Sequence, residues 1–232
     1  MRPLRRAADW VRRLRRRWIT RPARVVFDEW AAEGRDQGMA EAHGPVARRV
    51  LDRLHLPPDG RFLDIGCGNG YAVRWAAARM PEGTAVGIDV SPEMIRNARK
   101  RSQGLENVRF ERTGFPDHSL SAGAFDAIFS MEVFYYFPDV AAALEETLRL
   151  TSPGGEFACV VDYYEENTAS HGWPELTGTP MKLMGADEWR GALEAAGFVD
   201  VRQDRITLPA EEASQDWHAT VGSLVTVGRR RR

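Results

Sequence analysis

The stretch Phe62-Leu63-Asp64-Ile65-Gly66-Cys67-Gly68-Asn69-Gly70 decides the fold of this 232-residue chain. A short apolar run ends in an aspartate, glycines follow at every second position, and a helical pattern begins after them. That order predicts a buried strand, a tight turn and the start of a helix. Glycines let the backbone approach a ligand without an intervening Cβ, and a helix start offers free N–H groups. The stretch therefore predicts a small-molecule pocket at the carboxyl end of a parallel strand.

The spacing of the glycines indicates which ligand this pocket holds. The dinucleotide fingerprint Gly-x-Gly-x-x-Gly requires a third glycine where this chain has Tyr71. Here the glycines are Gly66, Gly68 and Gly70, and Asp64 stands two residues before the first. This pattern resembles motif I of the class I S-adenosylmethionine (SAM) methyltransferases. A glycine-rich turn also joins strand to helix in other α/β proteins, so the rest of the chain has to decide.

Further segments resemble the same family, in the same order. Thr84–Asp89 reads as a second buried strand that ends in an acid, which suits hydrogen bonding to two ribose hydroxyls. Ser91-Pro92-Glu93-Met94 then predicts a helix start with a serine N-cap. Ala124–Ser130 resembles motif IV on a fourth strand, and Leu148–Phe157 resembles the helix end, turn and fifth strand that follow it.

The resemblance covers about residues 40–228 and implies the fold. It implies an α/β protein with a doubly wound, seven-stranded, mostly parallel sheet, the Rossmann-like methyltransferase fold with an antiparallel last strand. Phe198–Ile206 and Val221–Val227 would be the last two strands. The length and the 43% apolar fraction fit a single domain over residues 25–228. No run of eighteen apolar residues occurs, so we expect no transmembrane helix.

The resemblance also implies SAM as the cofactor and suggests which residues bind it. The glycine turn would pass along the methionine part with Asp64 near the amino group, and Asp89 would take the ribose hydroxyls. Many relatives follow the third strand with Gly-Asp, but this chain has Thr113-Gly114-Phe115, so we expect backbone groups and Phe115 around the adenine. The expected cofactor-binding residues are Asp64, Gly66, Cys67, Gly68, Gly70, Asp89, Val90, Met94, Gly114, Phe115 and Ser130.

The motif IV region departs from its relatives in a way that bears on metal binding. Ser130–Asp139 resembles the Met-Glu-x-Leu-Glu-His stretch of ubiquinone-pathway O-methyltransferases, in which the acids and the histidine support a metal ion. Tyr135 and Tyr136 replace the Glu-His pair here, and Glu132 alone is a poor divalent site. We therefore predict no metal. The two tyrosines would form an aromatic wall beside the acceptor or the sulfonium, or else fill the core.

The implied reaction is in-line displacement of the methyl group onto a small-molecule acceptor. The protein has to align the acceptor and exclude water. Glu132 and His171 are the candidate bases, and Tyr135 and Tyr136 are candidate orienting groups. Residues 163–185 are expected to form an ordered lid. Residues 25–54 are expected to be helical in two pieces, broken around Gly34, Gly38 and Gly44. The resemblance implies that such a segment covers the cofactor and helps to form the acceptor pocket, but packing is the favoured interpretation for His43 and Trp30 individually.

The charges are distributed unevenly. The net charge is −1, but residues 1–24 hold ten arginines against one acid, residues 229–232 are four arginines, and residues 25–228 carry a net charge of −14. Residues 3–19 predict a basic amphipathic helix that packs on the domain, lies on an anionic membrane surface or contacts nucleic acid. The two cysteines suggest no disulfide framework, so a reducing cytoplasm is the expected location, with or without membrane association.

Three functions remain open from the sequence. The leading one is a small-molecule methyltransferase, since the chain has few residues beyond the core fold. The sequence argues against a nucleic-acid substrate, because the basic groups lie at the termini and no Asn-Pro-Pro-Tyr tetrapeptide follows the fourth strand. The alternatives are a lipid or quinone methyltransferase on the membrane surface, held by the basic helix, and a non-catalytic SAM-binding protein. The altered third-strand loop favours the last of these.

Overall fold

The computed structural model describes residues 20–232, so the predicted basic helix over 3–19 lies outside the described residues. The strands are β1 (Arg61–Ile65), β2 (Thr84–Asp89), β3 (Val108–Arg112), β4 (Phe125–Met131), β5 (Thr151–Val161), β6 (Val199–Ile206) and β7 (Ser223–Arg229). The helices are α1 (Ala23–Ala32), α2 (Arg35–Leu51), α3 (Tyr71–Arg79), α4 (Pro92–Arg101), α5 (Val140–Leu150), α6 (Trp173–Thr177), α7 (Ala186–Ala195) and α8 (Asp216–Thr220). Short 3-10 turns lie at Phe134–Tyr136 and Thr168–Ser170. Over residues 20–232, no helix is both long enough and apolar enough to span a bilayer.

The seven strands form one sheet in the order β3-β2-β1-β4-β5-β7-β6. Strands β1 to β5 are parallel, and β7 is antiparallel to both of its neighbours. This confirms the predicted doubly wound, mostly parallel fold. The strand order reverses between β1 and β4, and ligands of such sheets bind outside the carboxyl ends of the strands at that point. The glycine turn after β1 lies there.

Helices cover both faces of the sheet, as the alternation of strand side chains requires. On β1, Phe62 packs with one buried cluster and Leu63 with the other. The first cluster includes the small side chains of α3, such as Ala72 and Ala76, which bring that helix close to the sheet. The second cluster includes Trp189 of α7, whose side chain is completely buried. The rigid sheet therefore holds the carboxyl ends of β1 and β4 in place.

Two elements differ from the sequence-based expectation. Of the three glycines expected to break the segment before β1, only Gly34 does so, because it adopts φ +77 between α1 and α2. Gly38 and Gly44 lie inside α2. The turn expected around Gly154 is instead part of β5, where the pairing with β4 is irregular between Phe125 and Ala127. Gly154 adopts φ +82 in this irregular stretch, which accommodates the extra residues without ending the strand.

Residues 163–185 pack against the core of the domain, and none of them lines the cavity described below. Tyr163 and Tyr164 are buried in the core, and the Tyr164 hydroxyl donates to the Gly222 carbonyl at 2.9 Å. Further along, Lys182 N donates to the Tyr135 carbonyl at 2.8 Å. The roof over the cavity comes instead from α1 and α2.

Candidate functional site

A cavity of about 320 Å³ opens at the carboxyl ends of β1, β2 and β4. Strand ends and the turns after them form its floor, and α1 and α2 form its roof. Its lining residues are Ala23, Arg24, Phe27, Asp36, Met39, Ala40, His43, Ile65, Gly66, Cys67, Gly68, Asn69, Tyr71, Ile88, Asp89, Val90, Met94, Thr113, Gly114, Phe115, Met131, Glu132, Val133, Tyr136 and Phe137. Eight of the eleven predicted cofactor residues, Phe115 among them, are thus brought together, along with Glu132 and Tyr136.

The glycine turn is held by left-handed backbone conformations. Gly66 and Gly68 adopt φ values of +76 and +52, and the N–H groups of Gly66 and Cys67 both donate to the Ile88 carbonyl. A Cβ at Gly68 would meet only Met94 Sδ, at 3.9 Å, so this part of the turn is open toward the cavity. Such an open backbone fits close approach of a ligand.

Asp89 is the last residue of β2 and lines the cavity beside this turn. Its carboxylate accepts hydrogen bonds from Gly68 N at 3.0 Å and from Ser91 N at 2.8 Å. Burial raises the pKa of Asp89, and these N–H donors oppose that shift. Each carboxylate oxygen has a further lone pair, so both can still accept from vicinal hydroxyls. Ser91 caps α4 as predicted, with its Oγ accepting from Met94 N at 3.1 Å.

Polar contacts fasten the roof to the glycine turn and to α4. The Asp28 carboxylate of α1 accepts from Ser91 Oγ at 2.8 Å. The Asp36 carboxylate of α2 accepts from Asn69 Nδ2 and from Arg101, both at 3.2 Å. Asp36 and Asn69 are both buried, so these bonds are shielded from water and salt. The roof is therefore positioned by the same residues that shape the cofactor turn.

An aromatic wall forms part of the cavity lining. Phe27 of α1 meets Tyr136 edge to face, with ring centroids 5.3 Å apart. Tyr135 is buried behind this wall and does not line the cavity, and its hydroxyl donates to Glu132 Oε2 at 2.8 Å. Of the two predicted tyrosines, Tyr136 therefore faces the cavity and Tyr135 supports the carboxylate next to it.

A compact group of titratable residues closes this end of the cavity. His43, Glu132 and Asp162 each present one nitrogen or oxygen atom within 4.8 Å of the others. Glu132 adopts φ 61, and its second oxygen accepts from Asp162 N. Burial raises the pKa of Glu132 and of Asp162, while burial and the nearby His218 lower the pKa of His43 to about 4. A non-glycine residue in the left-handed conformation costs about 1–3 kcal/mol of backbone strain, which the surrounding structure has to compensate.

Several predicted site residues lie away from the cavity lining. The Ser130 hydroxyl is buried and donates to the Ile65 carbonyl at 2.8 Å, so it holds β1 to β4 and does not face a ligand. Gly70 caps α3 against the core, where a Cβ would lie 2.5 Å from Phe110 Cε1. Asp64 is buried beneath the turn, and burial, with Asp89 nearby, raises its pKa.

His171 is not placed to act as the base. His171 lies within residues 163–185, and its Nε2 is 2.9 Å from the Glu165 carbonyl. It does not line the cavity. The histidine at the cavity is His43, for which the sequence favoured a packing role. Its spacing from Asp36 and Met39 along α2 was a usable signal, because residues three and four apart share one helix face.

Comparison with known proteins identifies the family. The sequence matches a methyltransferase domain family over residues 57–197. The chain belongs to this family of SAM-dependent methyltransferases. The methyltransferase is 31% identical to nocamycin O-methyltransferase of Saccharothrix syringae, over 83% of this chain and 79% of that protein. It is also 31% identical to an aklanonic acid methyltransferase of Streptomyces sp. (strain C5), over 71% of this chain and 77% of that protein.

Solved structures agree with this assignment. A chain from the complex between the Haloferax volcanii Trm112 methyltransferase activator and the putative methyltransferase superposes with a TM-score of 0.81 and is 36% identical. That match covers 89% of this chain and 98% of the other. Geranyl diphosphate C-methyltransferase of Streptomyces coelicolor A3(2), solved with S-adenosylhomocysteine, gives a TM-score of 0.67 at 16% identity, over 81% and 80% of the two chains. The second likeness shows the fold alone. SAM is the cofactor of this methyltransferase.

Proposed function

We propose that this methyltransferase transfers the methyl group of SAM to an oxygen atom of a small, acidic, partly apolar molecule. The observation that carries the proposal is the single cavity that runs from the glycine turn and Asp89 to the wall of Phe27, Tyr136 and Glu132. One end suits a nucleoside with an amino acid, and the other suits a flat apolar acceptor with a polar group. A continuous cavity lets the two substrates meet.

The shape and charge of the acceptor end support this substrate class. The roof of α1 and α2 covers the cavity, which suits a small molecule more than a polymer. Phe27 and Met39 offer apolar contacts, and Arg24 at the cavity lining offers a positive charge for an acidic group. Two relatives are named for acid acceptors, the aklanonic acid methyltransferase and, at 33% identity over 51% of this chain, a trans-aconitate 2-methyltransferase of Azoarcus sp. (strain BH72).

The residues of the chain have to bind, align and shield the two substrates. SAM supplies the methyl group, and in the transfer the C–S bond breaks with its electron pair staying on sulfur while the C–O bond forms to an acceptor oxygen that has already given its proton to water. Gly66 and Gly68 would accommodate the methionine part, and Asp89 would accept hydrogen bonds from the ribose hydroxyls. Phe27 and Tyr136 would hold the acceptor's apolar part and exclude water. The polar end of the acceptor would lie toward His43 and Glu132, the polar groups nearest this wall.

The proposal is tested by a product screen with methyl-labelled SAM. Carboxylic acids, phenols and enols of varied size are incubated with the protein, and the label is followed into small-molecule, protein and RNA fractions. We expect the label in an oxygen-methylated small molecule. Label found only in protein or RNA would overturn the proposal.

Phe27→Ala tests the acceptor wall directly. Loss of the Phe27 ring removes an aromatic contact to the bound acceptor, which is worth about 0.5–1.5 kcal/mol beyond area burial. The KM of the acceptor should rise roughly 2- to 13-fold, with the dissociation constant of SAM unchanged. Leu176→Ala is the control, because Leu176 is an apolar side chain that is 84% exposed and does not line the cavity. Equal effects of the two variants on the acceptor KM would contradict the role of Phe27.

We also propose that this methyltransferase associates with a Trm112-type activator. The support is the 36% identity and the TM-score of 0.81 to a chain from the archaeal complex. Co-expression with the Trm112-type protein of the same genome is expected to give one co-eluting complex with a higher unfolding temperature than the methyltransferase alone. Separate elution and an unchanged unfolding temperature would reject this partner.

A further inference from the structure

We propose that His43, Glu132 and Asp162 bind one divalent transition-metal cation at the acceptor end of the cavity. The inference deepens the proposed function, since the cation would lie where the acceptor oxygen is expected. Only the catalytic role of the cation depends on that proposed function. Binding of the cation can be measured without any turnover.

The three side chains come from separate elements that fix them independently. His43 projects from α2, Glu132 follows β4, and Asp162 follows β5. Their ligand atoms lie within 4.8 Å of one another, close enough for one ion to contact all three. His43 and Glu132 line the cavity, so a cation held here would be reachable by an acceptor. The sequence did not predict this group of three ligands, because the resemblance places the metal-supporting histidine close after Glu132, where this chain has Tyr135 and Tyr136.

The surroundings of Asp162 are a second, independent reason to expect a cation at this site. The residue is 1% exposed, and its Oδ1 has no hydrogen-bond partner within residues 20–232. No lysine or arginine in that part of the chain forms an ion pair with Glu132 or Asp162. The nearest base paired with Asp162 is His218, at 4.0 Å, and the neighbouring Ser223 hydroxyl only partly offsets the effect of burial on the Asp162 pKa. A buried carboxylate oxygen without a partner is unfavourable, and two adjacent carboxylates add repulsion. A bound cation removes both costs.

The surrounding contacts resemble those that orient metal ligands. The Tyr135 hydroxyl donates to Glu132 Oε2 at 2.8 Å, and Asp162 N donates to Glu132 Oε1. Hydrogen bonds of this kind fix ligating carboxylates in place. One imidazole and two carboxylates suit ions such as Mn²⁺, Fe²⁺ and Zn²⁺. Such an ion would also let an acidic acceptor approach two carboxylates that otherwise repel it, and would polarise its oxygen.

The test is titration of chelator-treated protein with Co²⁺, followed by its visible spectrum, and with Mn²⁺, followed by the electron paramagnetic resonance of the free ion. We expect one site per chain. His43→Ala and Asp162→Asn should each weaken binding by at least roughly 10-fold, the scale seen when even outer-shell partners of a metal are lost. His171→Ala is the control, because this histidine lies away from the cavity. Retained SAM binding shows that each variant is folded.

The outcomes separate the two proposals. Failure of the intact protein to bind either ion, or equal affinity in His43→Ala, Asp162→Asn and the control, would overturn the metal site. A cation bound at these residues in a protein that methylates only macromolecules would leave the site standing and reject the small-molecule acceptor. If the chelator-treated protein still methylates a small molecule and shows no Co²⁺ spectrum, the small-molecule acceptor stands and the metal site is rejected.

Discussion

Replacing Gly66 by alanine is expected to abolish measurable SAM binding and to destabilise the protein. Gly66 adopts φ +76, a left-handed conformation that costs an alanine about 1–2 kcal/mol. The new Cβ would also collide with Cγ2 of Val133, and overpacking of this kind costs about 1–3 kcal/mol. Both Gly66 and Val133 line the cavity, so relief of the collision has to change the shape of the cofactor site.

Gly104→Ala separates the collision from the strain in this experiment. Gly104 adopts φ +85, but no atom lies within 4 Å of the position of its Cβ. This control therefore carries the conformational cost without the collision. Thermal unfolding and SAM titration are measured on both variants. If Gly66→Ala matched Gly104→Ala in unfolding temperature and retained its SAM affinity, the close approach at Val133 would have no functional meaning.

Replacing Asp89 by alanine is expected to weaken SAM binding by about 1–3 kcal/mol, or roughly 5- to 150-fold in dissociation constant. The variant loses the acceptor proposed for the ribose hydroxyls. It also leaves Gly68 N and Ser91 N without their carboxylate partner, which loosens the turn that approaches the ligand. The effect should appear in the affinity for SAM more than in the unfolding temperature, because Asp89 lies at the cavity rather than in the core.

Glu111→Ala is the matched control for Asp89→Ala. Glu111 is an exposed acid on the neighbouring strand β3 and lines no part of the cavity. Calorimetric titration of the two variants compares loss of a carboxylate at the site with loss of a nearby surface charge. Equal SAM affinities in a folded Asp89→Ala would remove the ribose assignment.

The sequence was most informative about features that depend only on residues close together in the chain. The apolar run into Asp64, the alternating glycines and the serine cap at Ser91 each depend on neighbours a few residues away. These features predicted the turn and the helix start, and they carried the family resemblance that implied the doubly wound, mostly parallel sheet. The structure confirms that fold.

The acceptor end was not predictable in the same way. His43 and Asp162 are far apart in sequence, and only the folding of α2 over the sheet brings them to Glu132. Helices α1 and α2 cover the cavity, as the resemblance implied for the segment before the first strand, whereas residues 163–185, expected to form a lid, do not line it. Long-range packing of this kind leaves no periodic pattern in a single sequence. Asp162 did carry one signal, since it directly follows a buried parallel strand, where site residues collect.

Calorimetric titration of the unaltered protein with SAM, and separately with NAD, tests the central claim most directly. The turn at Gly66, Gly68 and Asp89 is built for SAM rather than for a dinucleotide, so we expect saturable micromolar binding of SAM and no heat with NAD. Absence of SAM binding, or equal binding of NAD, would contradict the assignment of this cavity to methyl transfer.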